Sequence, residues 1–354
     1  MDKDLKTPTL AAIRTAENAL YSENRSKVYL PITGPADYID SVGSLIFGER
    51  FDQERGRIFG SAAVGGTSAL RLAGELMRAS NKNRLFLSNP TWENHKNIFT
   101  AVGLQIASYP YYDEVNHRFD FDGMLSFLNK TERGSLVLLH AVCHNPSGVD
   151  PNLSQWRQIS RVMKERGLLP LFDFAYQGFG KDLDSDRASI DCFMEDGHEM
   201  VVCYSFSKNM GLYAERVGAI FVVCEEGGQV KQIQSQLEKI IRSLYSNPPI
   251  HGSAIVAKVL SDPALRKMWI EELDLMRQRI DGMRLAFQNA LGDEYSFMKN
   301  QVGMFSMLGL SADVVEKLKS EKAIYMTRKA RVSFAGFTDK IAKIVAKEIF
   351  ELSR

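Results

Sequence analysis

Short apolar runs alternate with amphipathic segments through the middle of the chain. The apolar runs occupy residues 85–87, 106–109, 136–142, 168–172, 200–204 and 217–224. Strand-length apolar runs separated by helical patterns are typical of an α/β fold. The pattern therefore predicts a mostly parallel sheet with helices on both faces.

Apolar residues at helical spacing predict further helices towards both ends of the chain. Thr7 and Pro8 predict the start of the first helix, with the proline at its first position. Other helices are predicted after the glycines at 65 and 66, and over residues 36–47, 230–244, 253–260 and 263–291.

The last part of the chain alternates between strand and helix patterns. Strands are predicted at residues 303–310 and 330–335, and helices at 312–318 and 338–352. We therefore expect a large domain of residues 8–275 and a small C-terminal α/β domain of residues 276–354, with residues 1–7 at its edge.

Composition and charge exclude several classes of partner. The 354 residues are 45% hydrophobic, and 44 basic residues nearly balance 43 acidic ones, so no overall field favours nucleic acid or an anionic membrane. The four cysteines show no CxxC spacing, so we predict reduced thiols and no metal site. No apolar run reaches 18 residues and the N-terminus has no secretion-signal pattern, so a cytoplasmic location is expected.

Three loops that directly follow predicted strands contain polar and aromatic residues. They cover residues 89–95, 144–151 and 173–179, and contain Trp92, Asn145 and Asp173. Single residues of these types are more often structural than functional. Because parallel strands bring such loops to one edge of the sheet, we expect them to form a site together.

A fourth loop, residues 205–218, contains a lysine between two hydroxyls and an arginine. Ser205, Ser207, Lys208 and Arg216 lie there between two apolar runs. The helix start at Gly66 and Thr67 offers free backbone N–H groups to an anion. Together they suggest a phosphorylated cofactor. A solvated surface turn and a simple helix cap are the alternatives.

A lysine in such a loop can bind an aldehyde cofactor covalently. Pyridoxal phosphate also needs a carboxylate for its ring nitrogen, an anion pocket and a stacking partner. Asp173 offers the carboxylate and Trp92 the aromatic face, while Tyr176 or Asn145 can reach the ring oxygen. The candidates for binding the phosphate are Gly66, Thr67, Ser205, Ser207 and Arg216.

Four motifs in order resemble the aspartate aminotransferase family, and its aromatic aminotransferase relatives share nearly all of them. The motifs are the lysine loop at 205–218, His-Asn-Pro-Ser-Gly-Val-Asp-Pro at 144–151, Phe-Asp-Phe-Ala-Tyr-Gln-Gly-Phe at 172–179 and Tyr-Ser-Asn-Pro-Pro at 245–249. The resemblance covers the chain from about residue 6 to its end. It implies a fold-type-I pyridoxal phosphate enzyme whose large domain binds the cofactor.

The resemblance also implies a role for each matching residue. Lys208 would hold the cofactor and move the proton during amino transfer. Asp173 would pair with the ring nitrogen, and His95 would orient Asp173 from behind. Tyr176 and Asn145 would bind the ring oxygen, and Trp92 would stack on the ring.

Substrate and partner expectations rest on three further matches. Arg331 would bind the substrate α-carboxylate, and Arg242 would reach the side-chain carboxylate in the neighbouring subunit. Tyr29, a core tyrosine if considered alone, would reach the neighbour's phosphate, which implies a homodimer with shared sites. Two guanidinium groups favour dicarboxylates, so the preferred reaction converts aspartate and 2-oxoglutarate to oxaloacetate and glutamate.

Other activities stay open at this point. Aromatic amino acids are an alternative substrate class, because aromatic relatives keep the same arginine. A decarboxylase or lyase of the same fold, or a catalytically inactive binding protein, are further alternatives. The family carries an N-terminal arm and a Gly-Val-Gly-Val-Tyr strand before the segment that matches Lys6–Pro8, and this sequence begins close to that segment. A member of the fold with impaired activity is therefore a further alternative, and the strength of the dimer stays open.

Overall fold

A seven-stranded sheet forms the centre of the protein in the computed structural model, which describes residues 8–352. The strands, numbered along the chain, are β1 (Ile58–Val64), β2 (Arg84–Asn89), β3 (Gln105–Pro110), β4 (Tyr112–Asp113), β5 (Arg118–Phe119), β6 (Leu136–His140), β7 (Leu169–Phe174), β8 (Met200–Ser205), β9 (Val217–Val223), β10 (Phe305–Met307) and β11 (Arg331–Ser333). The large sheet has the order β1-β9-β8-β7-β6-β2-β3.

Helices surround this sheet. They are α1 (Ala11–Ser22), α2 (Ala36–Phe47), α3 (Arg50–Gln53), α4 (Gly65–Ala79), α5 (Glu93–Val102), α6 (Phe121–Lys130), α7 (Leu153–Arg166), α8 (Ala188–Glu195), α9 (Val230–Leu244), α10 (Ile250–Ser261), α11 (Pro263–Leu291), α12 (Ala312–Lys322) and α13 (Asp339–Leu352). Within the described range, none is long and apolar enough to cross a membrane.

The sheet is parallel except for one strand. β9 runs antiparallel to both β1 and β8, and the other strand pairs of the large sheet are parallel. The predicted α/β class with a mostly parallel sheet is confirmed. All six apolar runs form strands, whereas β1 was not predicted.

Both faces of the sheet are covered, which explains why its central strands are continuously apolar. Along β8, Val202 and Tyr204 pack into one hydrophobic core, and Val201 and Cys203 pack into the core on the opposite face. Every residue of β8 is buried. This rigid double layer fixes the position at which each strand ends.

The C-terminal elements follow the predicted order of strand, helix, strand and helix. β10 pairs antiparallel with β11, and α12 and α13 each follow one of these strands. The predicted domain boundary at 275/276 falls inside α11, a continuous helix of 29 residues. The division into two domains stays a prediction.

The start of α1 differs from its prediction. The helix begins at Ala11, and Pro8 precedes it in irregular structure, while Thr7 lies outside the described residues. The carboxylate of Glu272 accepts hydrogen bonds from the backbone N–H groups of Ala11 (2.6 Å) and Ala12 (3.0 Å). A side chain distant in sequence therefore caps this helix, and local capping signals could not reveal it.

Candidate active site

A cavity of about 330 Å³ opens at the carboxyl ends of the parallel strands. Strands β2, β6, β7 and β8 all point towards it, so the loops that follow them meet at one edge of the sheet. The predicted site residues that line it are Gly66, Thr67, Trp92, Asn145, Asp173, Tyr176, Ser205, Ser207, Lys208, Arg216 and Arg331. The expected convergence of the loops is confirmed.

Lys208 projects into this cavity just beyond the end of β8. Its Nζ lies 5.6 Å from the centre of the Tyr176 ring and 5.9 Å from that of Tyr213. Burial lowers the pKa of Lys208, assisted by the positive charge of Arg216 and opposed by Asp173. A lysine with a lowered pKa is more readily neutral, which suits a nucleophilic amine.

Asp173 lies near the end of β7 and is only 9% exposed. Its Oδ2 is 3.0 Å from Nε2 of the fully buried His95. Burial is the largest influence on the pKa of Asp173 and raises it, but the hydrogen bond with His95 and electrostatic interactions with His95, His140 and Lys208 outweigh burial. The net pKa is below its ordinary value. The carboxyl group is therefore ionised where it faces the cavity.

The position behind Asp173 is held by a chain of polar contacts. Thr91 Oγ1 lies 2.8 Å from Nδ1 of His95 and 3.4 Å from Nε2 of His140. Burial is the main cause that lowers the pKa of His140 to about 3, so this ring is neutral at physiological pH. These contacts orient His95 towards Asp173 in the predicted arrangement.

Asn145, Tyr176 and Arg331 form a connected group on another wall. The Asn145 amide nitrogen donates to the Tyr176 hydroxyl at 3.4 Å, and Arg331 Nη1 donates to Asn145 Oδ1 at 3.1 Å. The guanidinium of Arg331 also lies 4.7 Å from the centre of the Phe305 ring. Burial raises the pKa of Tyr176, so its hydroxyl stays neutral and can donate.

A group of anion-binding atoms lies at the end of the cavity nearest α4. Ser205, Ser207 and Arg216 meet the first turn of this helix, and Arg216 Nη1 is 3.5 Å from Ser207 Oγ. A Cβ at Gly66 would lie 2.9 Å from Ser205 Cβ, so glycine permits the close approach of helix and loop. Backbone N–H groups and a guanidinium therefore converge on one position.

The cavity includes residues that sequence reasoning did not assign to it. They are Leu70, Ala175, Tyr213 and Phe305. Tyr213 belongs to the lysine loop and could have been suspected from that motif. Phe305 comes from β10 in the C-terminal part of the chain, and no local pattern indicates that it packs beside Arg331.

Tyr29 and Arg242 are not brought to the cavity in the single chain. Tyr29 is 85% exposed, and Arg242 is exposed, with Nη1 2.7 Å from Ser246 Oγ. Tyr29 lines a second cleft together with Tyr245 and Asn247. The assignment of Tyr29 and Arg242 to a neighbour's site stays a prediction.

The fold and cavity together define an α/β protein with a partly buried lysine, an ionised aspartate and an anion pocket at the carboxyl edge of its sheet. Comparison with known proteins extends this description. Residues 2–349 match the model of the family described as aminotransferase class I and II. The chain belongs to this family.

Curated relatives are aspartate aminotransferases. The chain is 41% identical to the Escherichia coli enzyme over 346 residues, which cover 95% of this chain and 87% of that protein. It is 42% identical to the cytoplasmic aspartate aminotransferase of rice, over 97% of this chain and 87% of that one.

Solved structures extend the similarity to aromatic aminotransferases. The aromatic-amino-acid aminotransferase of Burkholderia pseudomallei, covalently bound to pyridoxal phosphate, is 40% identical with a TM-score of 0.97. That match covers 100% of this chain and 90% of the other chain. The protein is a pyridoxal phosphate-dependent aminotransferase.

The residues of the cavity fit this cofactor. Lys208 supplies an amine that has no ion pair within residues 8–352, and Asp173 supplies an ionised carboxylate for a protonated ring nitrogen. A Cβ at Gly65 would lie 2.7 Å from Arg216 Nη2, so a larger residue would obstruct the anion pocket. Each part of the cofactor thus has a matching group in the chain.

Proposed function

We propose that the protein is an aspartate aminotransferase, which converts L-aspartate and 2-oxoglutarate to oxaloacetate and L-glutamate. The observation that carries the proposal is that Lys208, Asp173 and Arg331 all line one cavity. The curated relatives support the choice of aspartate.

The side chains divide the work of amino transfer. When bound, pyridoxal phosphate supplies an aldehyde for the amino group and a ring that withdraws electrons from the α-carbon. The Arg331 guanidinium binds the α-carboxylate through paired hydrogen bonds, and Asn145 fixes that guanidinium. Lys208 Nζ, with its lowered pKa, takes a proton from the α-carbon and returns it elsewhere on the same face.

The remaining groups hold the reacting atoms in place. Asp173 keeps a proton on the ring nitrogen, and His95 keeps Asp173 ionised and oriented. Ser205, Ser207 and Arg216 would bind the phosphate, and Trp92, which lines the same cavity, would offer its aromatic face to the ring. Positioning of this kind lowers the entropic part of the barrier.

We further propose a cytoplasmic homodimer in which Tyr29 and Arg242 complete the neighbour's site. The exposure of both side chains in the single chain supports this arrangement. Arg242 would bind the second carboxylate of aspartate. The cytoplasmic rice relative supports the location.

Aromatic amino acids are the second candidate substrate class, favoured by the structural similarity to the Burkholderia enzyme. A substrate panel with 2-oxoglutarate as acceptor separates the two. We expect faster turnover with aspartate than with phenylalanine or tyrosine, and no turnover by Lys208→Ala. Preference for the aromatic substrates would reverse the assignment, and no transfer from any donor would refute the aminotransferase activity.

A further inference from the structure

Two acidic residues outside the cavity hold the backbone of the loops that carry Asn145 and Tyr176. The partly buried Asp150 accepts hydrogen bonds from the N–H groups of Cys143 (2.6 Å) and His144 (2.8 Å). Each oxygen of its carboxylate binds one of the two donors. The residues immediately before Asn145 are thus fixed by a side chain that does not itself line the cavity.

The backbone at Cys143 has a conformation that needs such support. Its φ angle is +55°, in the left-handed region that residues with a Cβ rarely adopt. Cys143 also lies against the C-terminal part of the chain, because a Cβ at Gly303 would come within 2.5 Å of Cys143 Cβ. The strained backbone at one end of the loop is therefore held by the hydrogen bonds that Asp150 accepts from it.

Asp186 has the same relation to the loop after Tyr176. This buried carboxylate accepts from the N–H groups of Gly178 (2.8 Å), Gly180 (2.9 Å) and Lys181 (2.8 Å). A Cβ at Gly180 would lie 2.5 Å from Asp186 Oδ1, so the loop wraps closely around the carboxylate. Three backbone donors that would otherwise be difficult to satisfy share one side chain.

The two loops meet in the cavity at the contact between Asn145 and Tyr176. The Asn145 amide nitrogen lies 3.4 Å from the Tyr176 hydroxyl, and the amide oxygen lies 3.1 Å from Arg331 Nη1. A shift of the Asn145 loop would change both contacts, and a shift of the Tyr176 loop would change the first. Burial raises the pKa of Asp150 and of Asp186 to about 6. The hydrogen bonds that the two carboxylates accept from backbone N–H groups oppose this rise and favour the ionised, accepting form.

We propose that Asp150 and Asp186 are positioning residues of the active site, which set the places of Asn145 and Tyr176 by holding the backbone of their loops. This inference rests on the proposed aminotransferase function. Neither carboxylate touches the reacting atoms, so each acts through the loop that it anchors. An asparagine at either position keeps the shape but replaces one acceptor oxygen by a donor, which opposes a backbone N–H.

A double-mutant cycle tests the proposal. Asp150→Asn should lower kcat/KM by roughly tenfold or more in the wild-type background, because a displacement of about 1 Å can cost up to a hundredfold. In the Asn145→Ala background, the same substitution should cause little further loss, because the side chain that it positions is already absent. The affinity for added pyridoxal phosphate and the absorbance maximum of the bound cofactor should also change in the wild-type background and change little in the Asn145→Ala background.

Controls separate positioning from stability. Asp196→Asn removes a carboxylate that accepts from Ser160 Oγ at 2.5 Å near the opposite edge of the sheet, so it should reduce stability and leave kcat/KM unchanged. Should Asp150→Asn not fold, the cycle of Asp186→Asn with Tyr176→Phe makes the same test at the second loop.

Equal fold-losses in the two backgrounds, in activity and in cofactor affinity, would overturn the positioning role. Absence of amino transfer by the wild-type protein would instead count against the proposed function. The cofactor-affinity cycle would still report on positioning in that case.

Discussion

At the scale of single residues, the site depends on opposed influences upon a few buried groups. Burial favours the neutral amine of Lys208, whereas the hydrogen bond with His95 keeps Asp173 ionised against its own burial. One charged and one more readily neutral group thus lie in the same cavity. Amino transfer requires this combination, because the amine must accept a proton while the carboxylate holds one in place on the cofactor.

His95→Leu should weaken cofactor binding and slow turnover. Loss of the 3.0 Å hydrogen bond leaves burial as the dominant influence, so the pKa of Asp173 should rise. A hydrogen bond to a charged group contributes about 1.5–3 kcal/mol, and a loss of at least tenfold in kcat is expected. Cofactor titration and kcat measurements check this. Lys96→Gln, an exposed substitution on the same helix, is the control and should behave as wild type.

Arg331→Lys should raise KM for the amino acid much more than it lowers kcat. A lysine keeps the charge but loses the paired donors that match a carboxylate, and its shorter reach breaks the contact with Asn145. We expect KM to rise on the order of tenfold, since a charge-assisted hydrogen bond is lost. Steady-state kinetics with aspartate give both constants. An unchanged KM would show that the carboxylate binds elsewhere.

The buried His198 should make the free energy of unfolding decrease in mild acid. Burial lowers the pKa of this histidine to about 4, from an ordinary value of 6.5. Below pH 6.5 the unfolded chain therefore binds a proton that the folded chain refuses, so the free energy of unfolding decreases as pH falls from 6.5 towards 4. His198→Asn should flatten this decrease by roughly 1–3 kcal/mol. Urea unfolding at several pH values is the measurement, and an unaltered slope would contradict the assignment.

At the scale of elements, the structure joins segments that are distant in sequence. α1 packs on α10 and α11, and the Glu272 side chain on α11 supplies the hydrogen bonds that cap the first turn of α1. The loop that contains Asn145 also contacts the segment before β10, because the backbone N–H of Val302 donates to Gly148 O at 2.8 Å. Contacts of this kind connect the first and last parts of the chain to the site.

Glu272→Ala should destabilise the protein by about 1 kcal/mol, the usual contribution of a helix cap. The N–H groups of Ala11 and Ala12 would lose their acceptor, and α1 should fray from this end. Glu271→Ala is the matched control, because Glu271 is exposed and its ion pair with Lys267, at 4.0 Å, lies on the surface. Thermal or urea unfolding compares the two. Equal effects would mean that the cap contributes nothing specific.

The sequence predicted elements well where periodicity is strong and poorly where distant contacts decide. The bounds of α9 and α11 agree with the predicted ranges, because their apolar residues repeat at helical spacing over many turns. β1 was missed because its seven residues include a glycine, a serine and two alanines, and only tertiary pairing with β9 makes it a strand.

At the scale of the whole molecule, the site also divides into residues that local motifs predict and residues that only distant contacts position. Ordered motifs located the cavity residues that follow parallel strands, since the fold brings such loops to one edge. They did not locate Phe305 or the capping residue Glu272, whose positions depend on packing between distant parts of the chain. Tyr29 and Arg242 lie outside the cavity of one chain, so only an assembly of two chains can give them the proposed roles.

Mixing two inactive variants should restore activity if the sites are shared. Lys208→Ala removes the amine, and Arg242→Ala removes the group offered to the neighbour, so both homodimers should turn over aspartate poorly. A mixed dimer contains one intact site, because the Lys208→Ala chain supplies Arg242 to the chain that keeps Lys208. Random exchange of subunits should therefore yield about a quarter of wild-type activity in an equal mixture.

The control mixes Lys208→Ala with Arg331→Ala. Both of these residues line the same chain's cavity, so this mixture should remain inactive. Activity in the control, or none in the first mixture after confirmed subunit exchange, would contradict the shared site.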